Sequence, residues 1–141
     1  METKVQITMN VNPQAHVMMR AMDFYMRMLM GQFEEIEHLF FAEEFDPIFE
    51  RERDHQARNE LQYHLKQIKR IIYPTLEYNA SWGITGRPCP ERATMIYDMY
   101  KTMDNAISWH QNPKGGWTVN FDKPMHWYKL QPLPEVRVFN E

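Results

Sequence analysis

The stretch that decides the fold is residues 13–41, PQAHVMMRAMDFYMRMLMGQFEEIEHLFF. Its apolar side chains recur at alternating gaps of four and three residues, the repeat of a helix that packs along a single seam. The residues on this seam are Ala15, Met19, Met22, Met26, Leu29, Phe33, Ile36 and Phe40. Asn12 and Pro13 suit an N-cap and a first helical position. The pattern therefore predicts one long helix over 13–41.

Methionines give this helix an unusual surface. Six of the twelve methionines in the chain fall between residues 18 and 30. Their flexible, polarisable side chains fill irregular cores and adaptable interfaces. The apolar stripe is also wider than one packing partner needs. We therefore expect a homo-oligomer that assembles through the 13–41 helix, with an ordinary core helix as the alternative.

Two flanking segments alternate between apolar and polar residues, as half-buried strands do. In residues 4–11 one face carries Val5, Ile7, Met9 and Val11, and the other carries Lys4, Gln6, Thr8 and Asn10. Residues 117–121 alternate in the same way, and residues 136–138 suggest a third short strand. The sequence thus predicts a small antiparallel sheet of two to three strands, built from the N-terminal strand and the C-terminal segment.

Two further helices complete the predicted fold. Apolar residues repeat with helical spacing over 61–72, and Pro74 should end that helix. A loop over 75–90 leads to a helix that runs from about Pro90 to His110. These elements predict an α-dominated α+β fold, organised as a single domain over 1–141.

Composition limits the classes of function. The 141 residues are 43% hydrophobic and 25% charged, with a net charge of −3. These values are typical of a globular protein and disfavour nucleic acid as a partner. No apolar run reaches the ~18 residues that span a bilayer. A single cysteine fits a reducing compartment, so we expect a cytoplasmic location and no membrane partner.

Catalytic motifs are incomplete in this sequence. Glu35 and His38 have the Glu-x-x-His spacing of helical metal sites, and Glu60 and His64 also share a helix face. If these helices pack antiparallel, the four residues could form a metal site. The alternative hypothesis is therefore a metal-dependent hydrolase or oxidase that uses them as ligands. Cys89 precedes a helix but lacks an adjacent base. We therefore predict no catalytic residue and no cofactor, and favour a non-enzymatic protein.

A set of aromatic and cationic residues points instead to ligand binding. Aromatic faces and Arg forks are the groups that bind a nucleotide and its phosphates, and glycine lets backbone amides approach an anion. The candidate residues are Arg20, Arg27, Gln32, Trp82, Gly83, Arg87, Tyr97, Lys101, Trp109, His110 and Trp117. Ordinary core aromatics and surface ion pairs are the alternative interpretation of the same residues.

Two segments resemble a known group of proteins. MGQFEEI at 30–36 and WGITGRPCPERATMIYDMYKTMDNAISWHQNPKGGWTVNFDKP at 82–124 are similar to small, mostly uncharacterised proteins encoded by bacteriophages and prophages. The resemblance implies an accessory protein of the anti-defence type, acting in the cytoplasm of the infected host. Together with the residues above, it predicts sequestration of a nucleotide-type small molecule. Direct inhibition of a host defence protein is the alternative.

Overall fold

The computed structural model describes residues 2–41, 55–86 and 88–141. Within them the chain forms four α-helices: α1 (His16–Leu29), α2 (Glu34–Phe41), α3 (His55–Ile72) and α4 (Glu91–Gln111). A π-helical turn at Val11–Ala15 precedes α1, and a short 3-10 turn at Val119–Phe121 follows α4. None of the four helices combines the length and apolarity needed to cross a bilayer.

Residue contacts divide the chain into two compact units. The first comprises Met1–Asp23 and Met95–Glu141, and the second comprises Phe24–Thr94. The second unit contains α2 and α3, together with the loop that follows α3. The single domain predicted over 1–141 stays a prediction.

The continuous helix predicted over 13–41 is wrong at residues 30–33. Gly31 has a φ of +87°, a left-handed conformation that ends α1 at Leu29. Its amide donates to the Met28 carbonyl at 3.1 Å, and the Gln32 amide donates to the Arg27 carbonyl at 2.9 Å. This pair of hydrogen bonds is a Schellman motif, which terminates a helix and satisfies its last carbonyls. The chain then restarts as α2 at Glu34.

The predicted antiparallel sheet is also wrong, since the described residues contain no strand. Residues 119–121 form a 3-10 turn, and residues 4–10 and 123–128 have no regular structure. The outer half of the apolar face expected at the N-terminus is uncovered, with Val5 83% and Ile7 68% exposed, while Met9 and Val11 pack against the core. These segments do alternate between apolar and polar residues, but they do not pair as strands in the described part of the chain.

Polar side chains of α4 explain why the segment after it forms no strand. Trp109 Nε1 donates to the Phe121 carbonyl at 2.9 Å, and Asn105 Nδ2 donates to the Asp122 carbonyl at 2.8 Å. The buried Asp98 carboxylate accepts the amides of Trp127 and Tyr128 at 3.2 and 2.8 Å. Because these helix side chains bind the backbone groups that a strand would need, the segment lies along α4 instead.

Each unit has its own apolar core. In the first unit Ala15, Met19 and Ile107 are buried together. The residues packed around them are Met9, Val11, Met22, Tyr100, Met103 and Val138. In the second unit Phe33 stacks on Tyr73 with ring centroids 6.2 Å apart. The α1 seam predicted from the sequence thus packs mainly within its own chain.

Replacing Asp104 with asparagine should stabilise the protein at neutral pH. Burial raises the pKa of the Asp104 carboxyl, and Lys101 and His16 only partly oppose that rise. A raised carboxyl pKa gives stability that is present below the unfolded-state pKa and lost as pH rises through the folded-state pKa. The neutral amide avoids this loss, so the Tm at pH 7 should rise by roughly 1–3 °C. Thermal melts should show that the Tm gain of the variant disappears below about pH 4. An unchanged Tm at pH 7 would contradict the destabilising effect assigned to the buried Asp104 carboxylate.

Candidate functional site

One cleft in the described residues lies in the second unit, between the C-terminal half of α3 and the loop after it. Its volume is about 310 Å³, the lower end of the range for small-molecule sites. The lining residues are Lys66, Lys69, Arg70, Pro74, Thr75, Leu76, Glu77 and Tyr78. The helix supplies the cations and the loop supplies the opposite wall.

Positive charge dominates this cleft. Lys66, Lys69 and Arg70 have i, i+3 and i+4 spacing, which places them on one side of α3. Glu77 is the one carboxylate among the described lining residues. Lys66 and Arg70 are exposed, so their charged groups are accessible from solvent. Among the lining residues, three cations accompany one carboxylate, a balance that attracts an anion. The carboxylates of Glu34 and Glu37 also act on lining residues, on Lys69 and Tyr78, and partly offset this positive charge.

Lys69 plays a different part, because it is only 1% exposed. Its Nζ donates to the carbonyls of Tyr78 and Ala80 at 2.6 and 2.5 Å. Burial lowers the pKa of Lys69, and the nearby Glu34 carboxylate opposes that change. The buried ammonium therefore fixes the 78–80 loop against α3 and sets the width of the cleft.

Tyr78 forms an aromatic wall next to the cations. The Nζ atoms of Lys66 and Lys69 lie 5.4 and 5.5 Å from its ring centroid. Burial raises the pKa of the Tyr78 hydroxyl, and the charges of Glu34 and Glu37 raise it further. Tyr78 consequently stays a neutral phenol, with its ring held in place beside two ammonium groups.

A buried carboxylate ties α2 to α3 below this wall. Glu37 is buried, and it accepts hydrogen bonds from Arg58 Nε and from Gln62 Nε2, the latter at 2.8 Å. Since both partners lie on α3, these bonds fix the helix that carries the cleft cations. These bonds hold α2 against the N-terminal half of α3.

Four of the residues predicted to bind a ligand lie in the second unit. Arg27 Nη1 donates to Gln32 Oε1 at 2.7 Å, and Gln32 Nε2 donates to Ser81 Oγ at 3.3 Å. The Trp82 amide donates to the Met30 carbonyl at 2.9 Å, and Gly83 follows it. These contacts gather Arg27, Gln32 and Trp82 around the turn between α1 and α2, where they stabilise the turn. Arg87, a further predicted residue, lies outside the described residues.

The other predicted ligand residues lie in the first unit. Lys101 Nζ is 5.5 Å from the Tyr97 ring centroid, so these two are brought together. Trp109 and His110 contact the C-terminal segment, His110 through Asn140 Oδ1 at 3.2 Å. Arg20 pairs with Asp23 on α1 at 3.7 Å. Trp117 is fully exposed. Most of this set supports the fold through contacts within the chain.

The metal-site alternative is not assembled in the described part of the chain. Glu60 and His64 lie 3.9 Å apart on an exposed surface, whereas Glu35 faces Arg27 at 3.7 Å. No group of three or more His, Cys, Asp and Glu side chains there could hold a metal ion. Burial raises the pKa of the Cys89 thiol, which makes it a poor nucleophile.

Sequence reasoning missed the cleft cations. At the end of a helix, Lys66, Lys69 and Arg70 also fit the ordinary role of cations that complement the helix dipole. Their i, i+3, i+4 spacing, followed at once by Pro74 and a loop with Tyr78, was the available signal. What the sequence could not show is that the loop folds back along α3, forms the opposite wall of the cleft and buries Lys69.

No family model, curated protein or solved structure matches this chain. The geometry of the cleft is therefore the basis for assigning a function.

Proposed function

We propose that the protein binds an anionic, nucleotide-type small molecule in the cleft beside α3 and sequesters it without chemical turnover. In the setting implied by the resemblance, it would be a phage accessory protein of the anti-defence type, acting in the host cytoplasm. One observation carries the proposal: the cations Lys66 and Arg70 and the aromatic ring of Tyr78 line one small cleft. That combination matches the charged and the planar parts of a nucleotide.

Each lining group has a counterpart in such a ligand. Lys66 and Arg70 would donate charge-assisted hydrogen bonds to phosphate oxygens, the strongest class of polar contact in proteins. The Tyr78 ring offers a surface on which a base can stack. The Glu77 carboxylate can accept a hydrogen bond from a ribose hydroxyl. Lys69 would contribute positive charge without needing to contact the ligand.

The character of the lining favours binding over catalysis. Turnover of a phosphate ester needs a positioned general base, a nucleophile or a metal-binding carboxylate set. The described lining residues contain neither His nor Cys, and they contain one carboxylate. This composition can hold an anion, and it supplies no pair of groups to cleave one.

A thermal-shift screen against cyclic and linear nucleotides tests the proposal. Because a ligand that binds only the folded state raises its stability, a nucleotide at about 100 times its Kd should add about 2.7 kcal/mol. The gain should fall as salt is added, since the contacts are ionic. The matched control is the corresponding nucleoside, which lacks the phosphate. No stabilisation by any nucleotide would contradict the proposal and favour direct binding to a host protein.

Homo-oligomerisation also belongs to this proposal, and residues 13–41 combine buried methionines with exposed apolar side chains, Val17 at 64% and Tyr25 at 45%. Met19 and Met26, central to its methionine stripe, are only 5% and 7% exposed within a single chain. Residues already buried in their own core are not available to a second copy. The burial of this stripe favours a different surface for self-association.

A further inference from the structure

The cleft beside α3 has room and binding groups for one nucleoside with one phosphate. Its volume of about 310 Å³ is at the lower end of the range for small-molecule sites. Among the described lining residues, Tyr78 is the single aromatic side chain on which a base can stack. Lys66 and Arg70 are the exposed cations of the lining, and they lie about one helical turn apart on α3. One ring and one pair of cations fit one base and one phosphate rather than a dinucleotide.

The charge that a ligand meets in this cleft is small. Lys66 and Arg70 contribute two positive charges, and the exposed Glu77 carboxylate contributes one negative charge, which leaves a net charge of +1 on the exposed groups of the lining. Lys69 is buried, and its ammonium already donates to the carbonyls of Tyr78 and Ala80. A ligand in the cleft therefore finds a net positive charge that one phosphodiester neutralises.

A carboxylate next to the lining offsets the charge of the buried ammonium. Glu34 is the first residue of α2, and its Oε2 is buried without a hydrogen bond from the described residues. Burial lowers the pKa of Lys69 and raises the pKa of Tyr78, and the Glu34 charge opposes the first change and adds to the second. The negative charge of Glu34 thus acts on two lining residues, and it leaves no surplus positive charge from Lys69 for a second phosphate.

We propose that the ligand of this cleft is a mononucleotide with a single negative charge, namely a 3′,5′-cyclic mononucleotide. This inference rests on the proposed function and names its substrate class. A cyclic phosphodiester carries one negative charge, whereas a terminal phosphate carries about 1.5 to 2 at neutral pH. Each further charge would lose water next to Glu77 without gaining another cation from the described lining, and such desolvation is unfavourable. Glu34 and Glu77 are therefore the residues that determine this specificity.

Isothermal titration calorimetry with a matched series of ligands tests the charge that the cleft accepts. The series is the 3′,5′-cyclic monophosphate, the 5′-monophosphate and the 5′-triphosphate of one nucleoside, repeated for adenosine, guanosine, cytidine and uridine without divalent metal. The wild type should bind the cyclic form about tenfold or more tighter than the monophosphate, and the triphosphate more weakly still. An affinity that rises with the number of phosphates would overturn this inference and leave the proposed function standing. No binding of any member would overturn both.

The variant Glu34→Gln tests the carboxylate separately from the shape of the cleft. It keeps the size of the side chain and removes its charge, so the triphosphate should gain about tenfold or more in affinity and the cyclic form less. The matched control is Glu35→Gln on the same helix, where the carboxylate lies 3.7 Å from Arg27 Nη1; it should bind the series as the wild type does.

A second variant changes the carboxylate on the loop wall. Because Glu77 is exposed, Glu77→Gln does not require a substitution at a buried atom to be tolerated, and it should shift the preference toward the triphosphate in the same direction. If Glu34→Gln and Glu77→Gln both kept the wild-type ratio of affinities for the cyclic form and the triphosphate, these carboxylates would not set the preference, and the inference would be overturned.

Discussion

Replacing Lys69 with methionine should destabilise the protein by about 2–4 kcal/mol. The substitution keeps the length of the side chain and removes the ammonium that holds the carbonyls of Tyr78 and Ala80. Removing a buried charge regains its desolvation cost. That gain is outweighed because two carbonyls lose a charged donor and Glu34 loses its nearby positive charge. Urea denaturation measures the change in the free energy of unfolding.

The control for this prediction lies three residues earlier on α3. Lys66→Met makes the same chemical change at an exposed position, so its effect should stay within about 0.5 kcal/mol. Lys69→Met should also abolish ligand binding, because the 78–80 loop that forms the wall of the cleft loses its anchor. If Lys69→Met were as stable as the wild type, the buried ammonium would not be what positions the loop.

Replacing Gly31 with valine should lower the free energy of unfolding by about 2–4 kcal/mol. The φ of +87° at this position is one that side-chain-bearing residues rarely adopt. A Cβ built there would also lie 2.8 Å from Leu76 Cδ2 and 3.2 Å from Tyr73 Cδ2. Strain and overpacking therefore act together at the turn that separates α1 from α2.

Gly83 provides the matched control for that substitution. A Cβ placed on Gly83 meets nothing within 4 Å. Gly83→Val should therefore change the free energy of unfolding by less than about 1 kcal/mol. Equal destabilisation by the two valines would show that the effect at Gly31 is not specific to its conformation and its neighbours.

The helices could largely be predicted from the sequence. The helix expected from Pro90 to His110 is α4, Glu91–Gln111, and Pro74 closely follows the end of α3 at Ile72. Both follow from local rules, namely apolar periodicity and the effect of proline. The break at Gly31 is also encoded locally, by a single glycine. It was not predicted because the apolar spacing continues regularly on both sides of that glycine.

The sheet could not be predicted correctly because strand pairing depends on the whole fold. Alternation in residues 117–121 is real, yet Trp109 and Asn105 bind the backbone groups that a partner strand would use. Whether a polar side chain of α4 or a strand backbone takes those groups is decided by tertiary geometry. The same limit applies to residues 4–11, whose strand pattern has no partner in the described chain.

The candidate site could be predicted only in part from the sequence. The predicted binding residues and the cleft lining both include aromatic and cationic groups, but among the described residues the two sets share no member. Arg27, Gln32 and Trp82 were predicted as part of an aromatic and cationic set, and in the structure they stabilise the turn between α1 and α2. Lys66, Arg70 and Tyr78 are brought together by a loop that folds back on α3, a contact that no local pattern encodes.

Isothermal titration calorimetry of the cleft variants tests the central claim most directly. The nucleotide that stabilises the wild type most in the thermal-shift screen is titrated into the wild type, into Lys66→Ala, Arg70→Ala, and into Lys114→Ala, Lys123→Ala. The second pair makes the same charge change at exposed lysines of the first unit. We predict that the cleft variant loses about 100-fold or more in affinity, from two charge-assisted hydrogen bonds, while the control binds as the wild type does. Equal affinity of the cleft variant and the wild type would contradict the assignment of this cleft as the binding site.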